Sequence, residues 1–173
     1  DAVAVGHRPG LIGSLLCGVG AAKSLAWSLG KPLVGVDHIH AHLYAGCLDA
    51  DIPSLPALGL VVSGGHTSLF HISAIESPRL IGRTIDDAVG EAYDKVATIL
   101  ELGYPGGPQL DRLAQAPGAN ERAHDFPISR LNEPLDFSFS GLKTAVLYDG
   151  RGRPDRSGVF PRSAGDLDEA ERA

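Results

Sequence analysis

Apolar and polar residues follow two different rhythms along this chain, and the rhythm changes about a third of the way in. Ala2-Val3-Ala4-Val5 is a short apolar run of buried-strand type, and Gly6-His7-Arg8-Pro9-Gly10 reads as a loop because of its two glycines and its proline. Residues 11–29 place apolar side chains at helical spacing with several small residues among them, which predicts a helix packed closely on a sheet. Residues 32–36 read as a second strand and residues 38–48 as a short helix. The Pro-containing stretch 51–56 is the best candidate for a boundary between lobes.

After that boundary come strands without intervening helices. Residues 57–62 are apolar, Ser63-Gly64-Gly65 supplies a turn, and residues 66–74 continue as a strand, with a third at 80–84. The pattern predicts an antiparallel ribbon closed by a glycine turn. From Asp86 the reading is helical, since Ala88, Ala92, Val96 and Ile99 recur on one face as far as Leu102. Tyr104-Pro105-Gly106-Gly107-Pro108 stops that helix, and residues 109–116 restart one. Residues 119–136 read as irregular, 140–147 as a short helix and 149–163 as a mobile loop.

Composition narrows the class. Hydrophobic residues make up 43% of the 173 positions, enough for a core. Cys17 and Cys47 are too few for a disulfide scaffold and read as reduced thiols of an intracellular protein. No uninterrupted apolar run reaches membrane-spanning length and no basic-then-apolar leader precedes the first strand, so a soluble, cytoplasmic protein without a membrane partner is expected. A net charge of −6 argues against a broad basic face that grips nucleic acid. Met is absent, the chain opens on a strand and closes on the helix-like Asp166-Leu167-Asp168-Glu169, so a piece of a longer chain is expected.

Four constellations could carry chemistry. In His38-Ile39-His40-Ala41-His42, the first and last imidazoles lie about 40° apart on a helix, near enough to share a metal, while His40 points about 200° away. Two ligands are too few for a stable site, so a third must come from elsewhere. Val61-Val62-Ser63-Gly64-Gly65 is a buried strand turning through glycines, and such a turn can expose successive N–H groups as a nest for phosphate, or can simply be a hairpin turn. Asp86 and Asp87 stand where carboxylates cap a helix, and Glu91–Lys95 is an ordinary one-turn ion pair. Tyr104-Pro105-Gly106-Gly107-Pro108 followed by Asp111 puts a flat glycine surface beside a carboxylate, a pairing able to take a base and ribose hydroxyls. Phe137-Ser138-Phe139-Ser140-Gly141-Leu142-Lys143-Thr144 reads, taken alone, as a capped helix with a Phe anchor.

Together these motifs resemble, in order and wording, the TsaD (Gcp) family of tRNA adenosine threonylcarbamoyltransferases. The resemblance rests on the histidine pair, Val-Val-Ser-Gly-Gly-His-Thr, Ile-Asp-Asp-Ala-Val-Gly-Glu-Ala-Tyr-Asp-Lys, Tyr-Pro-Gly-Gly-Pro and Asp-Phe-Ser-Phe-Ser-Gly-Leu-Lys-Thr, and runs from about Ala2 to Thr144. It implies an incomplete α/β, two-lobed sugar kinase–Hsp70–actin (ASKHA) superfold, with residues 1–54 in the N-terminal lobe and 55–173 in a second lobe carrying a helical insertion. It implies that His38 and His42 ligate one divalent metal, expected as Fe2+, whose third ligand lies outside this chain. It implies that Val61, Val62, Ser63, Gly64 and Gly65 lie against the phosphate end of the substrate, and that Asp94, Gly107 and Asp111 contact the adenylate. The loop Gly6-His7-Arg8-Pro9-Gly10 departs from the family's commoner Ala/Arg-Gly-Pro-Gly wording and leaves His7 and Arg8 without a role.

The reaction so implied transfers threonylcarbamoyl from threonylcarbamoyl-AMP to the exocyclic amine of the adenosine next to the anticodon in tRNAs reading codons that begin with A. TsaB-like and TsaE-like proteins are the implied partners. A zincin-type metalloprotease is excluded because the residue after the first histidine is Ile39, where that chemistry needs Glu. A carbamoyltransferase acting on a small molecule would share the metal and nucleotide sites. A non-catalytic partner paralogue would have no reason to keep His38 and His42.

Overall fold

This computed structural model describes residues 1–48, 53–120 and 122–167. The chain is mixed α/β and divides into two compact units, 1–61 with 71–79, and 62–70 with 80–173. The stretch 51–56, expected as the boundary, lies partly outside the described residues.

In the first unit, β1 (Val3–Arg8) and β2 (Leu33–Asp37) pair in parallel, joined by α1 (Ile12–Leu29). β1 runs three residues further than its apolar run, so Gly6, His7 and Arg8 are strand and not loop. α1 buries Ala22 and Ala26, the small-residue face expected to lie close to a sheet. It ends at Gly30, whose φ of +58° is the left-handed conformation glycine adopts without strain. α1 is also long and apolar enough to cross a membrane by length and composition, contrary to the expectation. The expectation counted uninterrupted apolar runs, and α1 instead mixes serines and glycines with a single charge, Lys23. Next, α2 (His38–Ala45) follows β2 without an intervening loop.

Strands β3 (Ala57–Val62), β4 (Thr67–Ile72) and β5 (Pro78–Arg83) form a three-stranded sheet in that order. Their connections are too short for a parallel crossover, so the pairing is antiparallel, as expected. The turn closes through Ser63 N–H, which donates to His66 O at 2.8 Å.

The second unit carries α3 (Val89–Ile99), α4 (Gly106–Ala114) and α5 (Ser140–Arg151) around Ala88, Ala92, Ala97 and Leu100, all buried. Two helix starts differ from expectation. α3 begins three residues after Asp86, and no side chain of its N-cap residue, Ala88, bonds to it. Its first amides go to the turn instead: Val89 N–H donates to Thr67 Oγ1 at 2.9 Å and Gly90 N–H to Ser63 O at 3.2 Å. α4 begins at Gly106 and not Gln109, because Asp94 Oδ1 accepts from Gly106 N–H at 2.8 Å and fixes the first turn. Residues 152–163 hold no helix or strand, but Asp155 folds them locally by accepting from the N–H groups of Ser157 and Val159. The helix expected from Asp166 falls mostly on residues outside the described ones; a 3-10 turn, Ala164–Asp166, is what precedes it.

Asp86 and Asp87 are used across the unit. Ser138 Oγ and Phe139 N–H donate to Asp86, which thereby caps α5 and not α3. Lys95 Nζ and Lys143 Nζ donate to Asp87 at 2.6 and 3.3 Å, and Lys95 also pairs with Glu91 at 2.9 Å. Residues 136 and 137 run along β5: Arg83 N–H donates to Asp136, and Phe137 N–H to Arg83 O. A Cβ on Gly82 would come within 2.0 Å of Leu135 O, so only glycine lets this segment approach.

A Cβ on Gly90 would meet Gly64 Cα at 2.8 Å and Ser63 O at 2.9 Å, backbone that cannot swing aside. Gly90→Ala is therefore expected to cost about 1–3 kcal/mol by overpacking. Gly141→Ala, in α5 with open space around its Cβ, is expected to stabilise by about 0.5–1 kcal/mol. Urea unfolding of both variants checks the pair.

Asp86 and Asp87 also set an acid limit. Burial pushes the Asp86 carboxyl up, but hydrogen bonds from Ser138, Phe139 and Ser140 outweigh it and hold it below the ordinary 3.8. The Lys95 hydrogen bond does most to hold Asp87 below 3.8, against burial, with Lys143 adding to it. Groups with depressed folded values stabilise fully above the unfolded value and lose that contribution as pH falls through the folded one. Wild type is expected to lead Asp87→Asn in urea midpoint at pH 6, and to lose that lead as pH falls below 3.8.

Candidate functional site

The histidine pair belongs to the first unit. Asp37 ends β2 and caps α2, with Oδ1 accepting from Ile39 N–H at 2.9 Å and His40 N–H at 3.3 Å. Burial raises the Asp37 carboxyl, but those two amides and the charges of His40 and Arg8 outweigh it and hold it below 3.8. One turn along, the His38 and His42 rings meet edge to face, their centroids 4.5 Å apart. Their Nε2 atoms are 2.8 Å apart, one ring donating to the other. Two imidazole nitrogens bound at right angles to one cation at about 2.1 Å stand about 3 Å apart, so the pair fits two adjacent positions of a metal. Among the described residues no group of three or more His, Cys, Asp or Glu could hold one. Asp37 does not complete the pair, since its oxygens are engaged by Ile39, His40 and Arg8.

The glycine motifs belong to the second unit, and there they meet. An open cavity of about 500 Å³ is lined by Val62, Ser63 and Gly64 from the turn, Gly90, Tyr93 and Asp94 from α3, and Gly107 and Asp111 from α4. Of the eight substrate residues read from the sequence, Val61 and Gly65 do not line it. Val61 is 6% exposed and belongs to the core, as strand alternation requires of the neighbour of Val62.

The turn is a partly filled nest. Ser63 Oγ accepts from His66 N–H at 3.0 Å and Gly65 N–H at 3.4 Å. That hydroxyl holds the place an anionic oxygen takes in such a nest. Among the described residues Gly64 N–H has no partner to relinquish, and Gly64 lines the cavity.

Asp94 divides its work: Oδ1 holds the start of α4, while the side chain borders the cavity. Asp111 lies on the exposed face of α4, where Gln115 Nε2 donates to it at 2.9 Å. Tyr93 and Gly90 escaped the sequence reading. Gly90, Tyr93 and Asp94 share one face at steps of three and four, so the spacing that found Ala88 and Ala92 contained the signal. Lys143 donates to Asp87 and does not line this cavity. An apolar cavity of about 410 Å³ lies between α3, α4 and α5, with Phe126, Phe139 and Leu142 in its walls and Tyr93 shared with the glycine-lined one. Phe139 is thus the anchor that its motif, read alone, suggested.

With this geometry in hand, the chain compares as follows. The family model for TsaD, tRNA N6-adenosine threonylcarbamoyltransferase, matches residues 1–164. A tRNA N6-adenosine threonylcarbamoyltransferase of Moorella thermoacetica is 57% identical over 148 residues, 85% of this chain and 43% of that protein. Similarly named proteins of Symbiobacterium thermophilum and Salinibacter ruber are 54% and 53% identical, over 85% and 90% of this chain. The chain spans 42% to 46% of the length of these relatives. A family-model match over residues 1–164, with relatives more than half identical across 85% of the chain, places this chain in the TsaD family.

Proposed function

We propose that this chain serves the transfer of a threonylcarbamoyl group from threonylcarbamoyl-AMP to the exocyclic amine of the adenosine beside the anticodon, in tRNAs reading codons that begin with A. The relatives are named tRNA N6-adenosine threonylcarbamoyltransferases, which supports the transferred group and the kind of acceptor. The observation that carries the reading is the meeting of Ser63, Gly64, Asp94, Gly107 and Asp111 around one cavity, from three separate stretches of sequence. An adenylate has an anionic end and a ribose that donates hydrogen bonds, and the cavity offers partners for both. The Gly64 amide, the Ser63 hydroxyl and the positive end of α4 suit the phosphate. Asp111, with the free oxygen of Asp94, suits the ribose hydroxyls. Gly107 gives a flat approach for the base.

The same proposal covers the ASKHA superfold, a cytoplasmic location and partners of the TsaB and TsaE kinds. His38 and His42 would hold a divalent metal, expected as Fe2+. When bound, such an ion supplies Lewis-acid polarisation of a carbonyl. What these residues do themselves is converge two nitrogens, and that needs Asp37 to keep α2 wound from its first residue.

Nucleotide binding tests the cavity. AMP added to the isotope-labelled chain is expected to shift the amide signals of Gly64 and Gly107, and Asp111→Ala to weaken binding about tenfold by removing a charged hydrogen-bond acceptor. Shifts confined to other residues would remove the cavity from the account. Metal binding tests the pair: with two imidazoles, Zn2+ should bind far short of the ~10–16 kcal/mol of complete four-ligand sites, and His42→Ala should abolish it. The transfer itself is read by incubating the chain with threonylcarbamoyl-AMP and unmodified tRNA, then seeking threonylcarbamoyladenosine among the digested nucleosides. Product is expected only with partner proteins and the remaining donors supplied. Robust product from the chain alone would overturn the assignment of roles.

A further inference from the structure

We infer that Arg8 and Asp37 are positioning residues for the His38–His42 pair, a role that rests on the reading of that pair as metal ligands. β1 and β2 run in step from Val3 opposite Leu33 to Gly6 opposite Val36, after which Arg8, and not His7, stands opposite Asp37. The additional residue is a bulge, and a bulge re-aims the side chain that follows it. His7 absorbs the distortion. Its Nδ1 lies 3.2 Å from Val36 O, to which it donates, and a Cβ on Gly35 would come within 2.9 Å of that nitrogen. Gly35 therefore leaves room for the ring.

The bulge delivers Arg8 Nε to Asp37 Oδ2 at 3.0 Å. The Asp37 carboxylate, its side chain 17% exposed, is then divided between two tasks. Oδ2 is held by Arg8, while Oδ1 caps α2 through Ile39 and His40. A helix of eight residues has little stability of its own, so its first turn depends on that cap. His38 is the first residue of the turn and His42 sits one turn on. Fixing the carboxylate fixes the turn, and the turn sets the 2.8 Å between the two Nε2 atoms. His7 and Arg8, which the proposed reaction does not use, thus gain a role through the backbone of the ligand helix.

The experiment uses the 173-residue chain, isotope-labelled, with two readouts. Hydrogen exchange at the Ile39 and His40 amides reads the cap without any metal. Zn2+ alone, titrated against the imidazole signals of His38 and His42, reads the pair. Asp37→Ala is expected to speed exchange at those amides and weaken Zn2+ binding about 2- to 30-fold, the range for losing a helix cap. Arg8→Ala is expected to change both by about 1.5- to 5-fold, as for an exposed ion pair, and Arg8→Lys to restore part of the loss. Exchange at the Val3 amide, which donates to Pro32 O at 2.9 Å at the far end of the same strand pair, verifies that the first unit of each variant is folded. Unchanged exchange at Ile39 and His40 in Arg8→Ala overturns the role of Arg8. Zn2+ binding lost in His42→Ala but untouched by Arg8→Ala and Asp37→Ala overturns positioning of the pair. Zn2+ binding untouched by His42→Ala instead overturns the metal reading, and amide exchange alone then decides whether Arg8 and Asp37 hold the turn.

Discussion

The cavity of the second unit depends on two helix starts packed with no space for a methyl group. At Gly90 the first turn of α3 rests on Ser63 and Gly64, and at Gly106 the first turn of α4 rests on Tyr93, Asp94 and Ala97. Each contact brings a helix start to the wall of one cavity, so the cavity's shape follows from two absent side chains. The same approach uses up amides: Gly90 donates to Ser63 O and Gly106 to Asp94. Donors left for a ligand are thus confined to the turn and to the backbone around Gly107.

Carboxylates do the complementary work. The N-cap residues of α3, α4 and α5 are Ala88, Pro105 and Phe139, none of which caps with its own side chain. Their starts are set by residues distant in sequence: Thr67 for α3, Asp94 for α4 and Asp86 for α5. A free helix N-terminus leaves several N–H groups without partners, and removing such a cap costs about 1 kcal/mol. The helices are therefore conditional on the tertiary structure, and acids that read as local caps or nucleotide contacts are partly spent on building it. Asp87 is the clearest case, tied to Lys95 and Lys143 rather than to any helix end.

This conditionality explains what could be read from the sequence and what could not. Strands β2, β3 and β5 and helix α1 emerged within about two residues, because apolar periodicity and glycine punctuation are local signals. The His38–His42 spacing was legible for the same reason. Of the helix starts that long-range partners set, that of α5 was legible at Ser140, whereas those of α3 and α4 misled: Asp86 and Asp87 sit where a local cap would, yet Thr67 takes that place from the neighbouring hairpin. The extension of β1 through His7 and Arg8 was hidden by Gly6, Pro9 and Gly10, which read as loop residues although the strand pairs to Arg8 through a bulge. Six of the eight predicted substrate residues line one cavity since their motifs are short backbone devices, whereas Val61 was carried along by its neighbours.

The cavity's charge distribution carries the argument a step further. Asp94 and Asp111 stand in the same enclosure as the Ser63–Gly65 turn and the N-terminal end of α4. A lone anion entering there meets two carboxylates, and a lone cation meets a helix end and the Gly64 N–H. Neither uniform charge is well served. A ligand with an anionic group at one end and neutral hydroxyl donors at the other satisfies both walls at once, and a nucleotide is such a ligand. Selectivity of this kind comes from the distance between the two polar ends, so it depends on α3 and α4 holding their separation. That returns the cavity's chemistry to Gly90 and Gly106: a side chain at either position would disturb the spacing before it altered any group that touches a ligand.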